Sequence, residues 1–181
     1  MIDCQYNMVE LKDHHVGLLR ECWCRQVYEL DRDFTPYAGS KVEQIVNWCE
    51  NAVLVGRSNC MWAVIGRDGR ECPCAIVELT DARYGKDPSF KFLNVFLEPK
   101  LILDYKPEVR QIDLAQITTV LGFSFGQSLL VAAKNGVKKL KIFGRSDEMR
   151  HLFDNVIMAL QPEQGIRACR QGAWLVIESS R

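Results

Sequence analysis

The sequence has no excess of either charge: Lys and Arg together number 23, Asp and Glu 23, and the formal net charge is zero. Attraction to nucleic acid through bulk charge is thereby excluded, and only a local basic patch would escape that argument. No basic segment leads into an apolar run at the start, so no secretory signal is expected there. The richest apolar stretch, residues 120–133, is broken by Gly122, Ser124, Gly126, Gln127 and Ser128, which predicts that it does not cross a membrane. Internal repeats, low-complexity tracts and Pro/Gly/Ser-rich linkers are also lacking. These absences predict one soluble domain over residues 1–181 that stays in the cytoplasm.

Cysteine is not scarce. There are 8, and without a secretory signal they are expected as free thiols. Cys22 with Cys24, and Cys72 with Cys74, form C-x-C pairs, whereas structural zinc sites use wider spacings and a second matching pair. If Cys72 and Cys74 alternate along a strand they share a face and reach a common ion. The competing reading is that both are small buried hydrophobes. The adjacent His14 and His15 point to different faces of a helix start and are expected to be exposed rather than metal ligands.

The pattern of apolar residues predicts a short strand at residues 5–11. A helix follows, capped by Asp13, with Val16, Leu19, Trp23, Val27 and Leu30 at helical spacing. Residues 31–39 are expected as a loop, and a second helix opens at Ser40, where Ser40 and Glu43 have capping-box spacing. The period then changes to that of strands at residues 52–56, 60–66, 73–79 and 90–98, with a tight turn at residues 67–70. Pro99 ends the last of these because it cannot donate to a ladder. Residues 100–111 are expected as a connection and a long helix runs from about Ile112 to Asn135-Gly136. A strand at 137–143, a helix at 146–160 and two closing strands at 166–170 and 173–178 complete the chain. The expected fold is α/β, a mixed central sheet of about seven strands with helices on both faces.

That order resembles the GNAT (acyl-CoA N-acyltransferase) fold over nearly the whole chain. The resemblance is carried most by the strand ending Val95-Phe96-Leu97-Glu98-Pro99, the helix ending Ala132-Ala133-Lys134-Asn135-Gly136, and the strand opening Val137-Lys138-Lys139. It implies acetyl-CoA as acyl donor and a small-molecule or protein amine as acceptor. The backbone N–H groups of Val95, Phe96 and Leu97 would hold the pantetheine arm, and Glu98 would be the general base. The competing reading of Glu98 is a solvated carboxylate at a strand end.

The family grips the pyrophosphate with a glycine-containing loop opening the long helix. Here the matching stretches are Arg110-x-x-Asp113-x-Ala115 and Gln116-x-x-Thr119-x-Leu121, with a carboxylate or a branched residue where the middle glycine belongs. The family's acid, a Tyr in the following helix, is Phe153 in this chain. Asp31, Asp33 and Tyr37 fall in the inter-helix loop that borders the family's acceptor site, where they would attract a cationic amine. Equally they are a polar turn. The arrangement of a long helix without those glycines, a strand, a Ser/Asn-containing turn and a short helix before two closing strands also resembles GNAT-like internal and virion proteins of tailed bacteriophages, which implies a second reading: an assembly module whose partner is a protein. Lys139 and Lys141 are expected to share one face of their strand as a charged sheet edge. The small residues of the long helix are expected to allow close packing.

Overall fold

The computed structural model describes residues 6–30, 36–56, 60–66, 71–103, 110–145, 147–160 and 165–179. In chain order the elements are β1 (Tyr6–Glu10), α1 (Asp13–Leu30), α2 (Pro36–Leu54), β2 (Met61–Gly66), β3 (Pro73–Asp81), β4 (Phe90–Leu97), α3 (Pro99–Leu103), α4 (Arg110–Lys134), β5 (Lys139–Phe143), α5 (Asp147–Leu160), β6 (Ile166–Gln171) and β7 (Trp174–Ser179). The strands form one seven-stranded sheet in the order β1-β2-β3-β4-β5-β7-β6. It is mixed: β4 and β5 are parallel, while β1–β2, β2–β3, β5–β7 and β6–β7 are antiparallel. The chain divides into two compact units. One comprises Met1–Glu78 and Val95–Ser124, the other Leu79–Asn94 and Phe125–Arg181.

In the first unit the helical stripe Val16, Leu19, Trp23 and Val27 of α1 is buried together with Val42, Val46 and Cys49 of α2 and Met61, Ala63 and Ile76 of the sheet. The Trp23 indole N–H donates to the Pro73 carbonyl at 2.7 Å, so the largest side chain of this core leaves no polar atom unsatisfied. The start of α1 differs from the expectation. Asp13 is its first residue and Lys12 is the cap, since the Val16 N–H donates to the Lys12 carbonyl. The Lys12 N–H in turn donates to His15 Nδ1 at 3.1 Å. This is the back half of a capping box, with an imidazole where Glu or Gln usually stands. His15 is therefore buried rather than exposed.

Burial, and then the neighbouring His14 and Lys12 charges, lower the His15 pKa below the usual 6.5. A neutral ring is also what accepting the Lys12 N–H requires. Because the folded-state value is depressed for a base, this contribution to stability is complete above about pH 6.5 and declines as pH falls below it. The melting temperature of the wild type should accordingly drop between pH 7 and 5. His15→Gln keeps an acceptor without the titration, and its curve should be flatter over that interval.

Three further expectations change. Residues 52–56 are not a strand: α2 runs to Leu54, and Ala52 and Val53 pack on the same core as α2. That helix starts at Pro36, a residue whose fixed φ suits a first helical position, so the Ser40–Glu43 pair lies inside it. The connection after Pro99 contains the short helix α3.

The long helix α4 buries Val120, Ser124, Ser128 and Ala132, a line at four-residue spacing. Ser124 Oγ donates to the Val120 carbonyl at 2.7 Å. Gly122 and Gly126 lie on the exposed side, and a methyl group added at either would meet nothing within 4 Å, so close packing does not explain them. By length and composition alone, Gln116–Lys134 is apolar enough to cross a membrane, and 22% of that stretch is buried. The polar interruptions seen in the sequence do not remove it from that class.

In the second unit the buried side chains include Phe90, Phe92, Leu140, Ile142, Phe153, Leu175 and Ile177. Phe92 meets Phe125 of α4 edge to face, with ring centroids 4.9 Å apart. β5 lies between β4 and β7, so Lys139 and Lys141 are not on a sheet edge. They do share a face, and both form ion pairs with Asp87, while Lys139 also reaches Glu178 at 2.9 Å. The two lysine hydrogen bonds hold the Asp87 pKa down to about 2. What keeps lysine on a central strand is this acidic pairing rather than solvent.

Candidate active site

Glu98 directly follows β4, and its position is set by the chain on both sides. Its N–H donates to the Cys74 carbonyl at 2.9 Å, and its own carbonyl accepts from the Leu101 N–H at 3.1 Å in α3. Pro99 can open that helix because the missing N–H is one the first turn leaves free. The residue is only 8% exposed, which overturns the reading of a solvated strand end. Gln26 of α1 donates from Nε2 to Glu98 Oε2 at 2.8 Å, and Gln26 Oε1 accepts the Lys100 N–H at 3.1 Å. Both ends of the Gln26 amide are thus fixed, and the amide in turn orients the carboxylate.

Cys72 completes the cluster, with its sulfur 4.0 Å from Gln26 Nε2 and 3.8 Å from the Pro73 carbonyl. Burial raises the Cys72 pKa above the usual thiol range, and the hydrogen-bonded Cys22 thiol and the Glu98 charge add to it. The thiol beside the carboxylate is therefore protonated at neutral pH and is no ready nucleophile. Cys74 does not face the same acceptor. Its S–H donates to the Val64 carbonyl at 3.2 Å, where the β2–β3 register shifts between Val64 and Ile65. Cys72 precedes β3, so the strand alternation that would have given the two thiols a common ion does not apply. Among the described residues, no group of three or more His, Cys, Asp or Glu is placed to hold a metal.

Val95, Phe96 and Leu97 close β4 and are half-buried, with Phe96 edge-on to Trp48 of α2 at 5.4 Å. The β4–β5 ladder pairs only Phe90, Lys91 and Phe92, so β4 continues beyond it for the rest of its length. Arg110 is the first residue of α4, where backbone N–H groups have no helical partner. Gln116 lies past the first turn, and the helix itself uses the amides there. The side chains of residues 110–115, and that of Tyr37 in α2, lie outside the described set, as do Asp31 and Asp33 altogether. Phe153 is fully buried against Gly144, where an added Cβ would approach its ring to 2.7 Å.

Sequence reasoning missed Gln26. The available signal was a polar residue one position from the buried Trp23/Val27 stripe, close enough to that stripe to reach inward. The distances in sequence from Gln26 to Cys72 and Glu98 hid their meeting.

Strand, two helices, three consecutive strands, a short and a long helix, a parallel strand, a helix and a closing hairpin make a GNAT-like mixed α/β fold. No protein-family model matches the sequence, and no curated protein does. Similar solved structures include a GNAT-family acetyltransferase from Staphylococcus aureus Mu50, at 12% identity over 97% of this chain and 99% of that one, with a TM-score of 0.44. A GNAT-family acetyltransferase from Listeria monocytogenes is similar at 7% identity over 96% and 94%, with a TM-score of 0.46. The ribosomal-protein-S5-alanine acetyltransferase from Vibrio fischeri is similar at 11% identity over 97% and 92%, with a TM-score of 0.45. These are likenesses of outline, and no residue's role passes across them.

Proposed function

We propose that the chain is an acyl-CoA-dependent N-acyltransferase in which the amine attacks the thioester directly and Glu98 accepts the proton. The observation that carries this is the buried, doubly anchored Glu98–Gln26 pair at the end of β4. A buried carboxylate held in one orientation at the end of a strand is placed as a general base needs to be.

Acetyl-CoA would supply the activated carbonyl, and Val95, Phe96 and Leu97 are the residues of this chain suited to hold its pantetheine arm. What supports this is that Val95, Phe96 and Leu97 lie past Phe92, the last β4 residue in register with β5. Glu98 takes the amine proton directly or through one water, and Gln26 holds the carboxylate in a single orientation. The protonated state of Cys72 favours direct attack over transfer through a cysteine. No Tyr stands at Phe153, so the departing thiolate takes its proton from solvent or from the protonated Glu98. Amine acceptors, small or protein-borne, fit a site whose described base is anionic.

The test is release of CoA thiol from acetyl-CoA in the presence of a panel of primary amines, with the acetylated product identified by mass. Release that depends on amine supports the reading, and its absence across polyamines, amino acids and peptide N-termini removes it. A second reading, a non-catalytic assembly module, is favoured by two observations. Phe153 stands as a buried phenyl ring where the family has an acid, and of the apolar stretch Gln116–Lys134 in α4 22% is buried. That module would bind a partner protein and leave acetyl-CoA untouched.

A further inference from the structure

The second unit carries two adjoining cavities that the proposed chemistry does not use. One, of about 600 Å³, is lined by Arg83, Tyr84 and Pro88 of the β3–β4 connection, by the turn from Asn135 to Lys138, and by Lys139, Glu178 and Ser179. The other, of about 310 Å³, is apolar and lies between Leu129, Leu130, Leu140, Ile166 and Ile177. Both volumes fall in the range of small-molecule sites or at its lower edge. Gly136, Val137, Lys138 and Ser179 line both. Three of the exposed large hydrophobic residues, Tyr84 at 93%, Leu130 at 52% and Ile166 at 36%, lie on these walls, the other described ones being Tyr28, Leu54, Val55 and Met158 elsewhere.

The walls are fixed. Arg83 Nη2 donates to Asn135 Oδ1 at 2.9 Å, and Asn135 Nδ2 donates to the Val131 carbonyl at 2.8 Å. Gly136, with φ of 71°, turns the chain out of α4, and the Ser179 N–H donates to the Lys138 carbonyl at 2.8 Å.

Charge accounting selects the ligand. Arg83 is paired with Asp81, and Lys139 with Asp87 and Glu178. Among the described residues lining the two cavities, Lys138 is the cation left without an acidic partner, and it stands where the polar and apolar cavities join. The turn offers no cradle of free amides for a phosphate, because the Gly136 and Val137 N–H groups already donate to the Ala133 and Ala132 carbonyls. One unpaired cation beside an apolar trough suits a ligand with one negative charge and a hydrocarbon tail.

We propose that this is a binding site for a straight-chain carboxylate of fatty-acid type. Its head pairs with Lys138 and its tail lies along Leu130, Ile166 and Ile177.

Calorimetric titration with decanoate below its micellar range tests the assignment, with decyltrimethylammonium as the comparator of opposite charge. Saturable one-to-one binding of decanoate is expected, weakened about tenfold or more by Lys138→Glu, the loss expected for one charge-assisted contact. Leu130→Glu, at a half-exposed position, should weaken it by a similar factor with thermal unfolding measured alongside. Three results would each overturn the assignment. They are no saturation with decanoate, equal binding of the cationic amphiphile, and unchanged affinity in Lys138→Glu with its thermal unfolding intact.

Discussion

Glu98→Gln should lower the turnover of amine acetylation by about 10²–10⁴-fold, the range a positioned general base contributes, while the protein remains folded. Gln has the shape of Glu, and its amide oxygen still accepts from Gln26 Nε2, the contact now made at 2.8 Å. Affinity for acetyl-CoA should change little, because the residues proposed to hold the donor are Val95, Phe96 and Leu97. A merely structural carboxylate would give the opposite pattern: turnover unchanged and stability shifted. Measuring kcat, donor affinity and unfolding on the same variant separates the two.

Phe153→Ala should cost about 3–5 kcal/mol, the usual loss for emptying a fully buried aromatic site. The ring has no exposed surface, and its edge lies where a Cβ on Gly144 would be, 2.7 Å from Cε2 and 3.1 Å from Cζ. Gly144→Ala alone should therefore cost about 1–3 kcal/mol through overpacking, since Arg150 Cγ, at 3.1 Å, closes the other side. The double variant should be more stable than the two losses predict when added, by about 0.5–3 kcal/mol, because removing the ring makes room for the methyl group. Strict additivity in denaturant unfolding would show that Gly144 is needed for something other than the Phe153 ring.

Much of the fold was legible because its elements agree with local periodicity. The stripe from Val16 to Val27 and the stop at Asn135-Gly136 stand where their patterns place them. The failures share a cause. The β-branched run at residues 52–56 has strand chemistry, yet α2 is already formed and carries Ala52 and Val53 onto its core, so tertiary packing overrides local preference. Lys139 and Lys141 have the composition of a sheet edge, and nothing local announces that Asp87, in the β3–β4 connection, will neutralise them.

Glu98 was visible as a candidate from its place after the strand, but its burial was not. Nor was its hydrogen bond from Gln26 of α1, since which polar residue of a helix turns inward is decided by what it meets there. The cap at Lys12 was hidden for a similar reason, since an imidazole seldom takes that role.

The most direct test of the acyltransferase account is calorimetric titration of the purified protein with acetyl-CoA and, separately, with free CoA. The account predicts saturable one-to-one binding of acetyl-CoA, with Glu98→Gln binding it as well as the wild type. No heat and no thermal stabilisation at millimolar acetyl-CoA would contradict it, and would leave a GNAT-like scaffold whose work is done on a partner protein.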